Sequence, residues 1–101
     1  VGAQKPWSRY PSYTVSKAGV ESLTKMLARA FAPSIRVNAI APGLVLPSDV
    51  VTPEKWEQLV KRLPLQRAAT LEEITMTLEF LIKNEYITGQ TIVVDGGYSL
   101  I

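Results

Sequence analysis

Apolar positions at Val15, Gly19, Val20, Leu23, Met26, Leu27, Ala30 and Phe31 recur at spacings of three and four residues, the period of an amphipathic helix. The pattern predicts a helix from Ser12 to Phe31, with Ser12 as N-cap and Pro33 as the stop. Its apolar residues occupy more than one side, which exceeds the single stripe of an ordinary surface helix. One face is therefore expected to cover a sheet, and another to meet a partner. The following stretch, SIRVNAIAPG, predicts a strand from about Ile35 to Ile40. Val37, Ala39 and Ala41 lie on one side of it and Ile40 on the other, so both faces are apolar. Such a strand belongs inside a covered parallel sheet.

PGLVLPSDVVTPEK carries prolines and a glycine and reads as a long loop. Thr52 then offers an N-cap and Pro53 the first position of a helix whose apolar face is Trp56, Leu59, Val60 and Leu63, with Pro64 ending it. In TLEEITMTLEFLIKN, Thr70 and Glu73 form a capping box, and Leu71, Ile74, Leu78, Leu81 and Ile82 form an apolar stripe. TGQTIVVDGG predicts a second strand, Thr91 to Val94, stopped at Asp95-Gly96-Gly97.

The order helix, strand, loop, helix, helix, strand uses the helical crossovers that join parallel strands. Two such strands do not make an independently stable sheet. Nor do the glycines form the Gly-rich turn that opens a dinucleotide-binding half-domain. The expected architecture is α/β, the C-terminal half of a doubly wound parallel-sheet (Rossmann-type) domain, with residues 1–101 supplying that part and the N-terminal half coming from outside the chain. The start without methionine, on a short loop, points the same way.

Composition narrows the chemistry. The 101 residues carry a formal charge of +2, too small to argue for nucleic acid or an anionic membrane surface. No apolar run approaches the roughly 20 residues of a membrane span, and no secretory signal is visible, so a cytoplasmic protein is expected. With neither cysteine nor histidine, thiolate metal sites and Ser-His-Asp or Cys-His nucleophiles are excluded within the chain. Tyr, Lys, Asp and Glu remain as proton carriers.

Among these, YTVSK places Tyr13 and Lys17 four residues apart, on one face of the predicted helix. A phenol with its ordinary pKa near 10 is a poor proton donor at neutral pH. Lowering it to about 7 takes roughly 4 kcal/mol, which an ammonium about 4 Å away supplies at an effective dielectric near 20. Spacing alone leaves open a packed tyrosine and a solvated lysine, since any helix offers such pairs.

Further segments change the picture. YTVSK, IRVNAIAPG, PLQRAATLEEITMTLEFL and YITGQTIVVDGGYSL, in this order, resemble the C-terminal half of the short-chain dehydrogenase/reductase family across nearly the whole chain. The first element is weak by itself, but in company with the others it is highly specific. The resemblance implies an NAD(P)-dependent oxidoreductase, usually a tetramer, in which Tyr13 is the general acid and Lys17 binds the nicotinamide ribose and tunes the tyrosine. It also implies that Pro42, Gly43, Leu44 and Val45 lie against the cofactor; by itself Pro42-Gly43 reads as a strand terminator. Asn38 and Asp95-Gly96-Gly97 are expected to be structural. The family's catalytic serine, or an aspartate in its place, would fall at or before Val1.

Within the family, the spacing of Gln4, Pro6 and the YPSY segment, together with PGLVLPSD and VTPEKWEQLVKRLPL, resembles the pteridine reductases and their dihydrofolate- or dihydromonapterin-reducing relatives. That branch implies NADPH as cofactor and a pterin or folate as small-molecule substrate, with Trp7, Tyr13 and Leu46 facing it. Trp7 is equally readable as an anchor for its loop. A 3-oxoacyl-thioester (acyl-carrier-protein) reductase, a general ketone or alcohol oxidoreductase, and a non-catalytic relative stay open, as do NAD against NADP and dimer against tetramer.

Overall fold

The computed structural model describes the backbone of residues 11–47 and 51–101, and the side chains of residues 17–47 and 51–101. Helix α1 spans Pro11–Phe31, strand β1 Ala39–Pro42, α2 Pro53–Arg62, α3 Leu71–Lys83 and β2 Thr91–Val94, followed by a short 3-10 turn at Tyr98–Leu100. The strands pair in parallel, Ala39 opposite Thr91 through Pro42 opposite Val94. This is the parallel α/β arrangement the sequence predicts.

Two boundaries differ from the sequence expectation. Ser12 lies inside α1, which begins at Pro11, a residue the first helical turn tolerates because its missing N–H has no intrahelical partner there. The first strand is Ala39–Pro42, not Ile35–Ile40. Residues 36 to 38 make other bonds: Val37 N–H donates to the Thr88 hydroxyl, Gly89 N–H donates to the Val37 carbonyl, and the side chains of Arg36 and Asn38 reach across to the segment before β2. These bonds hold the approach to the ladder without belonging to it.

Helix α2 opens as expected, Thr52 accepting from Lys55 N–H and Pro53 following it, and closes at Leu63 with a bond to the Val60 carbonyl. Helix α3 carries the full capping box, Thr70 Oγ1 accepting from Glu73 N–H at 3.1 Å and Glu73 Oε1 accepting from Thr70 N–H at 2.9 Å. Arg67 clamps the same carboxylate with bonds of 2.8 and 2.6 Å.

The interior is small. Ala28, Leu63 and Leu81 are the buried apolar side chains among the described residues, together with Thr24, whose hydroxyl donates to the Val20 carbonyl at 2.7 Å. Of the predicted α3 stripe, Leu81 is buried while Leu71, Leu78 and Ile82 remain exposed. On α1, Val20, Leu23, Met26 and Phe31 are exposed on the flanks of the Thr24–Ala28 contact line. Two strands of four residues are too little sheet to cover these helices.

Candidate functional site at the carboxyl ends of the strands

Both strands run in the same direction, so their carboxyl ends open onto one edge, where ligands of open parallel sheets bind. Ala39 N–H bonds the Gln90 carbonyl and Gly43 N–H bonds the Val94 carbonyl at 3.0 Å. Alternation then turns positions 40 and 42 away from β2. At position 42 the residue is proline, which brings no N–H to be left unpaired.

Past the strand, Gly43 meets the turn after β2. A Cβ on Gly43 would lie 2.7 Å from the Asp95 Cβ and 2.8 Å from its Cα, so only glycine fits without displacing one segment. The Leu44 carbonyl accepts from Ala69 N–H at 2.9 Å, and the Gly96 carbonyl accepts from Leu65 N–H at 3.1 Å. Gly97, at φ 94°, lies against Pro64, where a Cβ would come within 2.5 Å of the ring. Three segments, 43–44, 64–69 and 94–97, are thus tied into one frame. Leu44 and Val45 are half-buried in it, and Leu46 projects outward, 68% exposed.

Asp95 organises the turn. Its Oδ1 accepts from Gly97 N–H at 2.9 Å and its Oδ2 from Ser99 N–H at 3.0 Å, leaving the carboxylate fixed. Burial, the largest single influence, works to raise its pKa. The hydrogen bonds from Gly97 and Ser99 and the positive charge of Lys17 outweigh that and hold it below the usual carboxylate value. Lys17 is exposed on α1 and acts on this carboxylate from a distant part of the chain. Tyr13 is in the first turns of the same helix, its side chain outside the described residues, as is Trp7.

The structure therefore brings the Pro42–Leu46 loop and the Asp95 turn to one end of the sheet, where the charge of Lys17 is also felt. Asp95, expected only as part of a structural turn, is a contributor whose reach was not legible: nothing local in DGG announces its close approach to Gly43. Arg36, which precedes β1 and so lies away from this edge, was not singled out from sequence either. Arg36 donates to the carbonyls of Leu81, Asn84 and Ile87 through Nη1 and of Ile82 through Nη2, closing the C-terminus of α3. Asn38, expected to be structural, accepts from Gln90 N–H and donates to the Ile87 carbonyl.

A separate hollow of about 430 Å³ lies between α3 and β2, with Met76, Phe80, Ile92 and Val94 as its apolar part and the mutually paired Arg67 and Glu73 at its rim. It contains none of the predicted site residues. Among the described residues, no group of acidic side chains could hold a metal ion, and no helix is long and apolar enough to cross a membrane.

The family model described as enoyl-(acyl carrier protein) reductase matches residues 1–99. The chain belongs to the short-chain dehydrogenase/reductase family. Among its structural relatives, FolM alternative dihydrofolate reductase 1 from Brucella suis, solved in complex with NADP, superposes with a TM-score of 0.84 at 51% identity, covering 89% of this chain and 36% of that one. The 3-oxoacyl-[acyl-carrier-protein] reductase FabG of Staphylococcus aureus is 44% identical over 91 residues, 85% of this chain and 37% of the relative. Carbonyl reductase family member 4 of Danio rerio is 41% identical over 90 residues, 88% of this chain and 38% of the relative. The chain spans a little over a third of the length of these short-chain dehydrogenase/reductase relatives, a share that fits the C-terminal half of a doubly wound domain.

Proposed function

We propose that this chain is the C-terminal half of an NADPH-dependent reductase that transfers hydride to the C=N bond of a pterin or folate, with Tyr13 as general acid. The observation that carries this reading is the likeness, at 51% identity, to a dihydrofolate reductase of the same family solved with NADP. The reaction needs a group that protonates the nitrogen as its carbon receives hydride, and a lysine-assisted phenol, Tyr13 with Lys17 one turn on, is suited to that role. NADPH, when bound, supplies the hydride.

What supports NADPH at this edge is an exposed ammonium, Lys17, near the strand ends, and a loop, Gly43–Val45, anchored on both sides. In this reading Lys17 hydrogen-bonds the nicotinamide ribose hydroxyls and favours the phenolate of Tyr13 by its charge. Pro42 to Val45 bind the nicotinamide side of the cofactor. Leu46 and Trp7 bound the substrate. The other half of the domain provides the remaining strands and the catalytic serine or aspartate, and two or four copies of the protein assemble through the second apolar face of α1.

The curated relatives favour one alternative, reduction of a 3-oxoacyl group on acyl carrier protein, in which the same tyrosine protonates a carbonyl oxygen. The experiment is NADPH oxidation by the complete enzyme with a dihydropterin, dihydrofolate, a 3-oxoacyl thioester and a simple ketone in parallel. The proposal expects the highest kcat/KM with the pterin or folate, and a fall in kcat of about 10²-fold or more in Tyr13→Phe with cofactor affinity little changed. Preference for the thioester would move the assignment to the alternative. Normal turnover by Tyr13→Phe would remove the tyrosine from its role, and binding without turnover on any substrate would mark a non-catalytic relative.

A further inference from the structure

We propose that Asp95 is a positioning residue for the cofactor loop, setting the place of Gly43 to Val45 from the neighbouring strand end; this rests on the NADPH reading above. The contact is between the Gly43 backbone and the backbone and Cβ of Asp95. Gly43 approaches so closely that a Cβ on it would overlap both Cβ and Cα of Asp95, at 2.7 and 2.8 Å, and Gly43 N–H is bonded to the residue just before it, Val94. Wherever Asp95 is held, the first residue of the loop follows.

Asp95 is in turn held by its own carboxylate. The bonds from Gly97 and Ser99 N–H wind the chain after β2 into a tight turn whose far side, Gly97, abuts Pro64, while Gly96 accepts from Leu65. The 64–69 segment then returns to the loop through Ala69 N–H and the Leu44 carbonyl. The frame closes on itself, and the side chain that winds it is Asp95. The neighbouring residues of β1 and of the segment 63–65 are uncharged. Arg67 is engaged by Glu73, and among the described residues the charge that acts on Asp95 is that of Lys17. Asp95 thus touches the loop at Gly43 and also feels the charge of Lys17, the other candidate cofactor element.

The experiment measures KM for NADPH, kcat at saturating NADPH and thermal unfolding in the complete enzyme for three variants. Asp95→Ala deletes both turn bonds, Asp95→Asn keeps the acceptor for Gly97 but loses the charge, and Gly43→Ala pushes on the same contact from the loop side. The expected result is a rise in KM for NADPH of about tenfold in Asp95→Ala and Gly43→Ala and about threefold in Asp95→Asn, with kcat at saturation within about twofold in the two Asp95 variants. A lower unfolding temperature with unchanged KM in the folded fraction would show that Asp95 only stabilises the turn and would overturn the proposal. Should Asp95→Ala fail to fold, the milder Asp95→Asn and the independent Gly43→Ala decide. Failure of the unsubstituted enzyme to show saturable NADPH dependence would instead overturn the reading on which the inference rests.

Discussion

Arg36 donates from Nη1 to the Asn84 carbonyl at 2.9 Å, and with its three further carbonyl partners it replaces the amides that the last turn of α3 lacks. Because the same guanidinium reaches Ile87, just before the turn into β2, one side chain joins the end of a helix to the start of a strand. Arg36→Ala is expected to destabilise the folded protein by about 2–4 kcal/mol, since several charge-assisted bonds are lost together. Arg36→Lys recovers only part, because an ammonium cannot present the planar fork. Urea unfolding of the three proteins checks the order. Equal stabilities would mean that water replaces the guanidinium without loss.

The bidentate bond from Arg67, the largest influence, and the Thr70 amide hold the Glu73 carboxyl at about 2, down from 4.5. A carboxylate whose folded pKa is depressed contributes stability that is fully present above its unfolded value and is lost as pH falls through the folded one. The window is therefore from about 4.5 down to about 2. Glu73→Gln should flatten the pH dependence of the unfolding temperature in that interval and leave it unchanged in slope near neutrality. An unaltered acid limb would exclude this pair as a contributor.

Gly97 and Gly19 predict opposite responses to a methyl group. At Gly97 the positive φ and the Pro64 ring leave no room, so Gly97→Ala should cost about 2 kcal/mol or more. At Gly19, inside α1, a Cβ meets nothing within 4 Å, and Gly19→Ala should stabilise the helix by about 0.5–1 kcal/mol. Thermal unfolding of both variants measures the contrast.

Leu23 and Met26 are exposed on α1 at 52% and 66%. If this face meets a second copy, as proposed, Leu23→Glu with Met26→Glu should shift the assembly toward smaller species in sedimentation velocity. Should kcat fall with it, assembly braces the helix that carries Tyr13 and Lys17. An unchanged sedimentation profile would place the contact elsewhere.

Local chemistry was the most legible part of the sequence. Thr52-Pro53 and the Thr70–Glu73 box specify helix starts within four residues, and the structure has both. The first strand was displaced because β-branched content does not distinguish an extended segment from a laddered one. Arg36 and Asn38, both polar, bind the opposite segment by side chain and postpone the ladder to Ala39. The helical period of the α3 stripe was legible, but burial depends on what lies opposite, and among the described residues nothing covers Leu71, Leu78 and Ile82. At the site, the glycine after Pro42 was legible as a strand end. Its collision distance from Asp95 was not, because it depends on the relative placement of two segments far apart in sequence.

The parallel register has a temporal consequence. Ala39 pairs with Thr91, so the sheet cannot form until α2 and α3 have been synthesised between them. Those helices carry their own caps and can begin to order as they leave the ribosome, before Thr91–Val94 is available to pair with β1. Closing so long a loop is slow compared with winding a helix. Until the last strand has been made Gly43 has no Asp95 to lean on, so this end of the cofactor loop takes its place only after the whole chain is present.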